Sequence, residues 1–135
     1  MGGIAQEIPR RHVANLRGIH VPLIDDDHLV RDFLRSVLEL SDAIITATGA
    51  VDAFRIALIA DVIVCDLASA EAADSELLER LRRMHVRQGR RAPAVALAGQ
   101  GLRDARVRAP GFQRYLTKPV DGDELRAAVL EQFRQ

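Results

Sequence analysis

The chain has 135 residues, which fits one domain of ordinary size, and 48% of them are apolar, which excludes a wholly disordered protein. Its 19 basic and 19 acidic residues balance, so neither a strongly basic nucleic-acid binder nor an acidic tail protein is expected. A single cysteine excludes an intramolecular disulfide. No apolar run approaches the roughly 18 residues of a membrane span, and the first residues lack the apolar core of a secretory signal. The composition therefore predicts a soluble, cytoplasmic protein without membrane contact.

The apolar pattern divides the chain into an N-terminal arm, residues 1–18, and one domain, residues 19–135. In the domain, short continuous apolar runs alternate with stretches whose apolar residues recur at helical spacing. This alternation predicts an α/β fold whose parallel sheet is covered on both faces. The runs predicted as strands are 19–24, 43–47, 62–65, 94–97 and 112–117. Helices are predicted to begin at Asp27, Thr48 and Asp121 and to cover 77–84, with a weak helix at 102–108.

Two details of this pattern concern the ends of elements. Asp27 and Asp121 precede helical stretches and are expected to cap them, because a short carboxylate accepts hydrogen bonds from the first free N–H groups. Pro22 interrupts the first strand, and proline cannot donate a hydrogen bond to a ladder. Pairing of that strand is therefore expected to begin near Pro22.

Charged residues stand where several strands end. Asp25, Asp26 and Asp27 follow the first strand, Asp66 follows the third, and Lys118 follows the fifth and is the chain's one lysine. In an open parallel sheet, ligands bind beyond these carboxyl ends. Taken singly, each residue is better explained as a turn, a helix cap or a solvated loop residue.

Taken together, these residues predict Mg²⁺-assisted phosphoryl transfer onto an aspartate. Clustered carboxylates raise one another's pKa values, and a hard divalent cation with few protein ligands relieves the repulsion. A nearby ammonium can neutralise a phosphoryl oxygen, and a carboxylate can act as the nucleophile.

Four segments, VPLIDDDHLVRDFL, DVIVCDL, APAVALAG and YLTKPVDGDEL, resemble the receiver domain of two-component response regulators over residues 19–134. The resemblance implies a flavodoxin-like, CheY-like doubly wound (βα)5 fold with strand order 2-1-3-4-5. It also implies a regulator, not an enzyme acting on a separate substrate. Its expected partners are a histidine kinase or phosphotransfer protein and a downstream protein, with a homodimer possible and no direct nucleic-acid contact.

The resemblance assigns a role to each matching site residue. Asp66 matches the phosphoacceptor, which also touches the metal. Asp25 and Asp26 match the acidic pair that holds Mg²⁺, and Ala68 would offer its backbone carbonyl to the same ion. Lys118 matches the lysine that contacts the phosphoryl group. No organic cofactor is expected.

Further positions concern the conformational switch. Pro119 is expected to follow a cis peptide bond, and Tyr115 matches the aromatic residue that changes rotamer. The chain departs from the family at Ala98, where a Thr or Ser hydroxyl is usual. One such hydrogen bond is worth about 1 kcal/mol, and up to about 3 kcal/mol to a charged group. Tyr115 is therefore expected to be uncoupled from Asp66 or coupled differently.

Two other classes of function stay open on the sequence. Ala98, Ala70 and a shortened fourth helix also fit a degenerate receiver that serves as a phosphorylation-independent interaction or dimerisation module. A flavin mononucleotide binder or a phosphohydrolase is disfavoured. The carboxylates of residues 25–27 would repel a flavin phosphate, and no inserted segment is long enough to form a cap over a substrate.

Overall fold

The computed structural model describes residues 15–25, 27–48, 60–67, 92–99, 105–107 and 110–135. Five parallel strands form one sheet in the order β2-β1-β3-β4-β5. This confirms the predicted α/β fold and strand order. The strands are β1 (His20–Ile24), β2 (Ile44–Thr48), β3 (Ile63–Asp66), β4 (Ala94–Ala98) and β5 (Arg114–Thr117). The helices with described bounds are α1 (His28–Glu39) and α2 (Gly122–Arg134), and residues 105–107 are also helical.

Several sequence predictions lie outside the described residues. These are the helix predicted to begin at Thr48 beyond that residue, the helix over 77–84, and the arm before residue 15. Thr48 itself is the last residue of β2, so the prediction that it starts a helix is wrong. In the described part of the arm, Leu16 is fully buried and its N–H donates to the Ser41 carbonyl at 2.8 Å. The chain then turns through Gly18, whose φ of 79° is easiest for glycine, into β1. The packed core of the described residues therefore includes Leu16, which precedes the first strand.

The sheet carries a separate apolar cluster on each face, as continuously apolar strands require. One cluster includes Leu23, Val64 and Leu97 and packs against both described helices. The other includes Cys65 and Tyr115 and packs with Ala105. Because successive side chains in a strand point to opposite faces, neighbours such as Val64 and Cys65 belong to different clusters.

The predicted caps are present at both described helices. The Asp27 carboxylate accepts from the N–H groups of Leu29 at 3.0 Å and Val30 at 3.3 Å. The Asp121 carboxylate accepts from the Asp123 N–H at 3.3 Å. Each helix therefore starts where its capping aspartate satisfies otherwise unpaired donors.

Pro22 and Gln113 explain where two strands start to pair. Along β1, Pro22 lies in register with Thr46 of β2, whereas pairing with β3 begins only at Leu23. The prediction for Pro22 thus holds for the β3 side and is wrong for the β2 side, where pairing begins at His20. Strand β5 begins later than predicted, because Gln113 bonds Ala94 through both its backbone N–H and its side-chain Oε1.

Neither described helix combines the length and the apolar character that crossing a bilayer demands.

Two leucines of α1 test how far the packing of this helix determines stability. Leu34 is 2% exposed and Leu29 is 82% exposed. Leu34→Ala should lower the free energy of unfolding by about 2–5 kcal/mol, because it removes buried surface and leaves a cavity. Leu29→Ala should change it by less than about 0.5 kcal/mol. Urea unfolding followed by circular dichroism measures both, and equal losses would contradict this packing.

Candidate functional site

The third and fifth strands bring a carboxylate and an ammonium together. Asp66 is the last residue of β3 and is 1% exposed. Lys118 follows β5, and its Nζ donates to Asp66 Oδ1 at 2.7 Å and Oδ2 at 2.6 Å. Strand β4 lies between β3 and β5, so the lysine side chain spans the end of β4 to reach the carboxylate. The Lys118 N–H donates to the Ala98 carbonyl at 2.7 Å, which fixes the base of this side chain, and the peptide bond to Pro119 is cis.

Asp25 supplies a second buried carboxylate from the neighbouring strand. It follows β1 directly and is 2% exposed. Its Oδ1 accepts from the Asp27 N–H at 2.9 Å, whereas its buried Oδ2 has no hydrogen-bond partner. The pKa of Asp25 is raised to about 6, and burial is the largest cause. The hydrogen bond from the Asp27 N–H and the charge of Lys118 lower this pKa, whereas Asp66 raises it.

The charges and the unsatisfied oxygen together fit a hard cation. Asp25 and Asp66 carry two potential negative charges, and Lys118 compensates one of them. A buried carboxylate oxygen without a donor is costly, and a divalent cation would satisfy it. Asp26 and Ala68 lie outside the described residues, and within the described ranges no three His, Cys, Asp or Glu side chains form a metal cluster. Mg²⁺ fits this donor set, since it is held in proteins by one or two carboxylates and otherwise by water or phosphate oxygens.

Tyr115 lies on the opposite face of the sheet from the apolar cluster that packs on the helices. It is 7% exposed, and its ring meets the edge of Phe112 with centroids 5.6 Å apart. The Arg106 guanidinium lies 4.7 Å from the Tyr115 ring centroid, a cation–π contact. Ala98 alternates with Leu97 of the helix-packed cluster, so it lies on the same face as Tyr115.

Sequence reasoning missed two arginines near these groups. Arg31 donates to the Asp25 carbonyl at 3.1 Å, and Arg106 covers Tyr115. The only sequence signal for Arg31 is its place in the first turn of the helix after the acidic run. No local pattern links Arg106 to Tyr115, because their contact depends on how the chain returns to β5.

The raised pKa of Asp25 predicts how stability depends on pH without metal. The folded protein keeps this proton up to about pH 6, whereas an unperturbed carboxyl releases it at 3.8. The stability that the bound proton contributes is complete below pH 3.8 and is lost as the pH rises through about 6. Asp25→Asn should therefore be more stable than the wild type at pH 8 by on the order of 2–3 kcal/mol, with a smaller gain at pH 5.

Urea unfolding of both proteins at pH 5 and pH 8, with a metal chelator present, measures this difference. A gain that is the same at both pH values would show that Asp25 does not titrate in this range.

Comparisons with known proteins place these features in a family. No family model matches the chain. A curated relative, "Uncharacterized 14.6 kDa protein in sodA1 3'region" of Leptolyngbya boryana, is 36% identical over 115 residues, covering 82% of the chain and 86% of that protein. "Probable histidine kinase 2" of Oryza sativa subsp. indica is 27% identical over 96% of the chain, which spans only 14% of that kinase.

Solved structures of receiver domains and of a protein that contains one are similar to this chain in fold. A response regulator receiver domain protein of Clostridium thermocellum superposes with a TM-score of 0.71 at 19% identity, covering 86% of the chain and 94% of that protein. Full-length FixJ of B. japonicum gives a TM-score of 0.69 at 27% identity, over 88% of the chain and 59% of FixJ. With its sheet order, its buried aspartate beside Lys118 and these neighbours, the chain has the fold of the CheY-like response regulator receiver domains.

Proposed function

We propose that this receiver domain accepts a phosphoryl group on Asp66 from a phosphohistidine of a histidine kinase or phosphotransfer protein. The observation that supports this most is the buried Asp66 carboxylate, held by Lys118 at 2.6 and 2.7 Å beside the unsatisfied oxygen of Asp25. The similarity to a segment of a probable histidine kinase agrees with a two-component setting. We further propose that the phosphorylated chain binds a downstream protein target or, as a second possibility, forms a homodimer.

The chemistry requires one bond to form and one to break. An Asp66 carboxylate oxygen attacks phosphorus while the P–N bond to the donor histidine breaks, and the electron pair of that bond stays on the imidazole nitrogen, which takes up a proton. The Lys118 ammonium transfers its hydrogen bonds from the carboxylate to phosphoryl oxygens. Asp25 and Asp66, with Asp26 and the Ala68 carbonyl as the resemblance implies, would hold Mg²⁺, which lowers the negative charge that the two reacting groups bring together. The chain thus promotes only its own phosphorylation.

Phosphorylation of the full chain by acetyl phosphate tests this proposal. The wild type should gain one phosphoryl group by intact mass only when Mg²⁺ is present, and Asp66→Asn should gain none, because it lacks the nucleophilic carboxylate. Asp32→Asn is the matched control, since Asp32 is an exposed aspartate of α1. A wild type that stays unlabelled under conditions that label an ordinary receiver would refute the proposal.

A second proposal concerns the output, because Ala98 leaves the Tyr115 face without a hydroxyl. Tyr115 is buried against Phe112 and Arg106. An alanine methyl cannot form a hydrogen bond that changes on phosphorylation. Tyr115 therefore keeps one position, and this face serves as a phosphorylation-independent interaction or dimerisation surface.

The emission of Tyr115 tests whether this face responds to phosphorylation. The chain has one tyrosine and no tryptophan, so its intrinsic fluorescence reports on Tyr115 alone. Acetyl phosphate with Mg²⁺ should leave the emission of the wild type unchanged, whereas Ala98→Thr should acquire a phosphorylation-dependent change. The double variant Ala98→Thr, Asp66→Asn should lose that change. An emission change in the wild type that scales with the phosphorylated fraction by mass would contradict the proposal.

A further inference from the structure

We propose that Arg31 is a positioning residue that fixes the backbone at Asp25 and thereby sets the affinity of the acidic site for Mg²⁺. This inference rests on the proposed function of the site. It concerns the described residues between the end of β1 and the first turn of α1.

Arg31 joins two groups on either side of the loop that follows β1. Its Nη1 donates to the Asp25 carbonyl at 3.1 Å, and its Nη2 lies 2.6 Å from His28 Nδ1. A guanidinium has only donors, so Nδ1 is the acceptor in this contact and His28 supports the arginine from the exposed side. The Arg31 N–H also donates to the Asp27 carbonyl at 2.9 Å, which anchors the residue in the helix.

The Asp25 carbonyl is a sensitive place for such a bond. Strand β1 ends at Ile24, so ladder pairing no longer holds the next peptide group. Because a peptide group is planar, the orientation of that carbonyl is tied to the direction in which the chain leaves the strand. The same direction places the Asp27 N–H at 2.9 Å from Asp25 Oδ1. Fixing the carbonyl therefore also fixes the carboxylate, whose Oδ2 is the free ligand oxygen of the site.

Arg31 acts on Asp25 through geometry and not through its charge. The cation that shifts the pKa of Asp25 is Lys118. Groups behind metal ligands hold those ligands in place, and their loss commonly weakens metal binding by about tenfold or more. A bond to the backbone of a ligand residue acts in the same way, because it holds that backbone in one orientation.

Arg35 provides a matched control on the same helix. It lies four residues after Arg31, and its Nε is 3.5 Å from Glu39 in an exposed ion pair. Arg35→Met removes the same charge and a similar side chain from α1 without touching the loop after β1. A difference between Arg31→Met and Arg35→Met therefore isolates the contact with Asp25.

The experiment titrates Mg²⁺ into the full, unphosphorylated chain and follows backbone amide shifts by NMR. Arg31→Met should raise the Mg²⁺ dissociation constant about tenfold, whereas Arg35→Met should change it by less than about twofold. Arg31→Lys keeps one donor and should recover part of the affinity. With acetyl phosphate, Arg31→Met should need more Mg²⁺ for half-maximal labelling, yet approach the wild-type rate at saturating Mg²⁺.

Equal Mg²⁺ affinities for Arg31→Met and Arg35→Met would overturn the positioning role while leaving the proposed function intact. A wild type that neither binds Mg²⁺ nor becomes labelled would instead overturn the proposed function, and this inference with it. If Arg31→Met does not fold, His28→Ala replaces it, because that variant removes only the outer support of the guanidinium. His28→Ala should then weaken Mg²⁺ binding by about threefold, and no change would refute the proposal.

Discussion

The contact between Lys118 and Asp66 is the interaction on which the rest of the site depends. Strand order places β1 and β3 side by side, so Asp25 and Asp66 are both buried at one edge of the sheet. Two ionised carboxylates in such a place repel each other and lose their hydration. Lys118 compensates one of the two charges, and only a long side chain anchored beyond β4 can reach it. The lysine therefore makes an acidic edge compatible with a folded chain before any cation binds.

Lys118 compensates only one of the two carboxylate charges. The carboxylate that is left uncompensated makes this edge of the sheet a candidate cation site. Asp25 Oδ2 is buried without a donor, and burial raises the pKa of its carboxyl. Buried polar atoms in native proteins are nearly always hydrogen-bonded, and a cation is one partner that would satisfy this carboxylate oxygen. A chain under pressure for stability alone would gain by replacing Asp25 with a neutral residue. The cost of keeping this carboxylate supports the proposal that a cation binds at this edge.

The sequence alone predicts the elements and the site but not the contacts that position it. Continuous apolar runs that end in charged residues are visible locally, so the strands, the sheet order and the candidates Asp25, Asp66 and Lys118 follow from the pattern and the family resemblance. The burial of Leu16 was not predicted, because a single leucine in a polar arm has no periodicity. The contacts of Arg31 and Arg106 were not predicted for another reason. The sequence shows the type of side chain, whereas the partner is set by a rotamer and by the tertiary path of the chain.

The two faces of the sheet explain why one substitution separates the site from Tyr115. Asp66 alternates with Cys65, so its carboxylate and the Tyr115 ring lie on opposite sides of the sheet. The end of β4 lies between the strands that carry them, and there Ala98 offers only its backbone carbonyl, which already accepts from the Lys118 N–H. A hydroxyl can rotate between two partners, whereas a carbonyl held in a strand has one arrangement. Coupling between sites needs an element with two arrangements, and the Ala98 methyl group does not supply one. Under the proposed function, the acidic edge would therefore bind and react without requiring a change on the Tyr115 face.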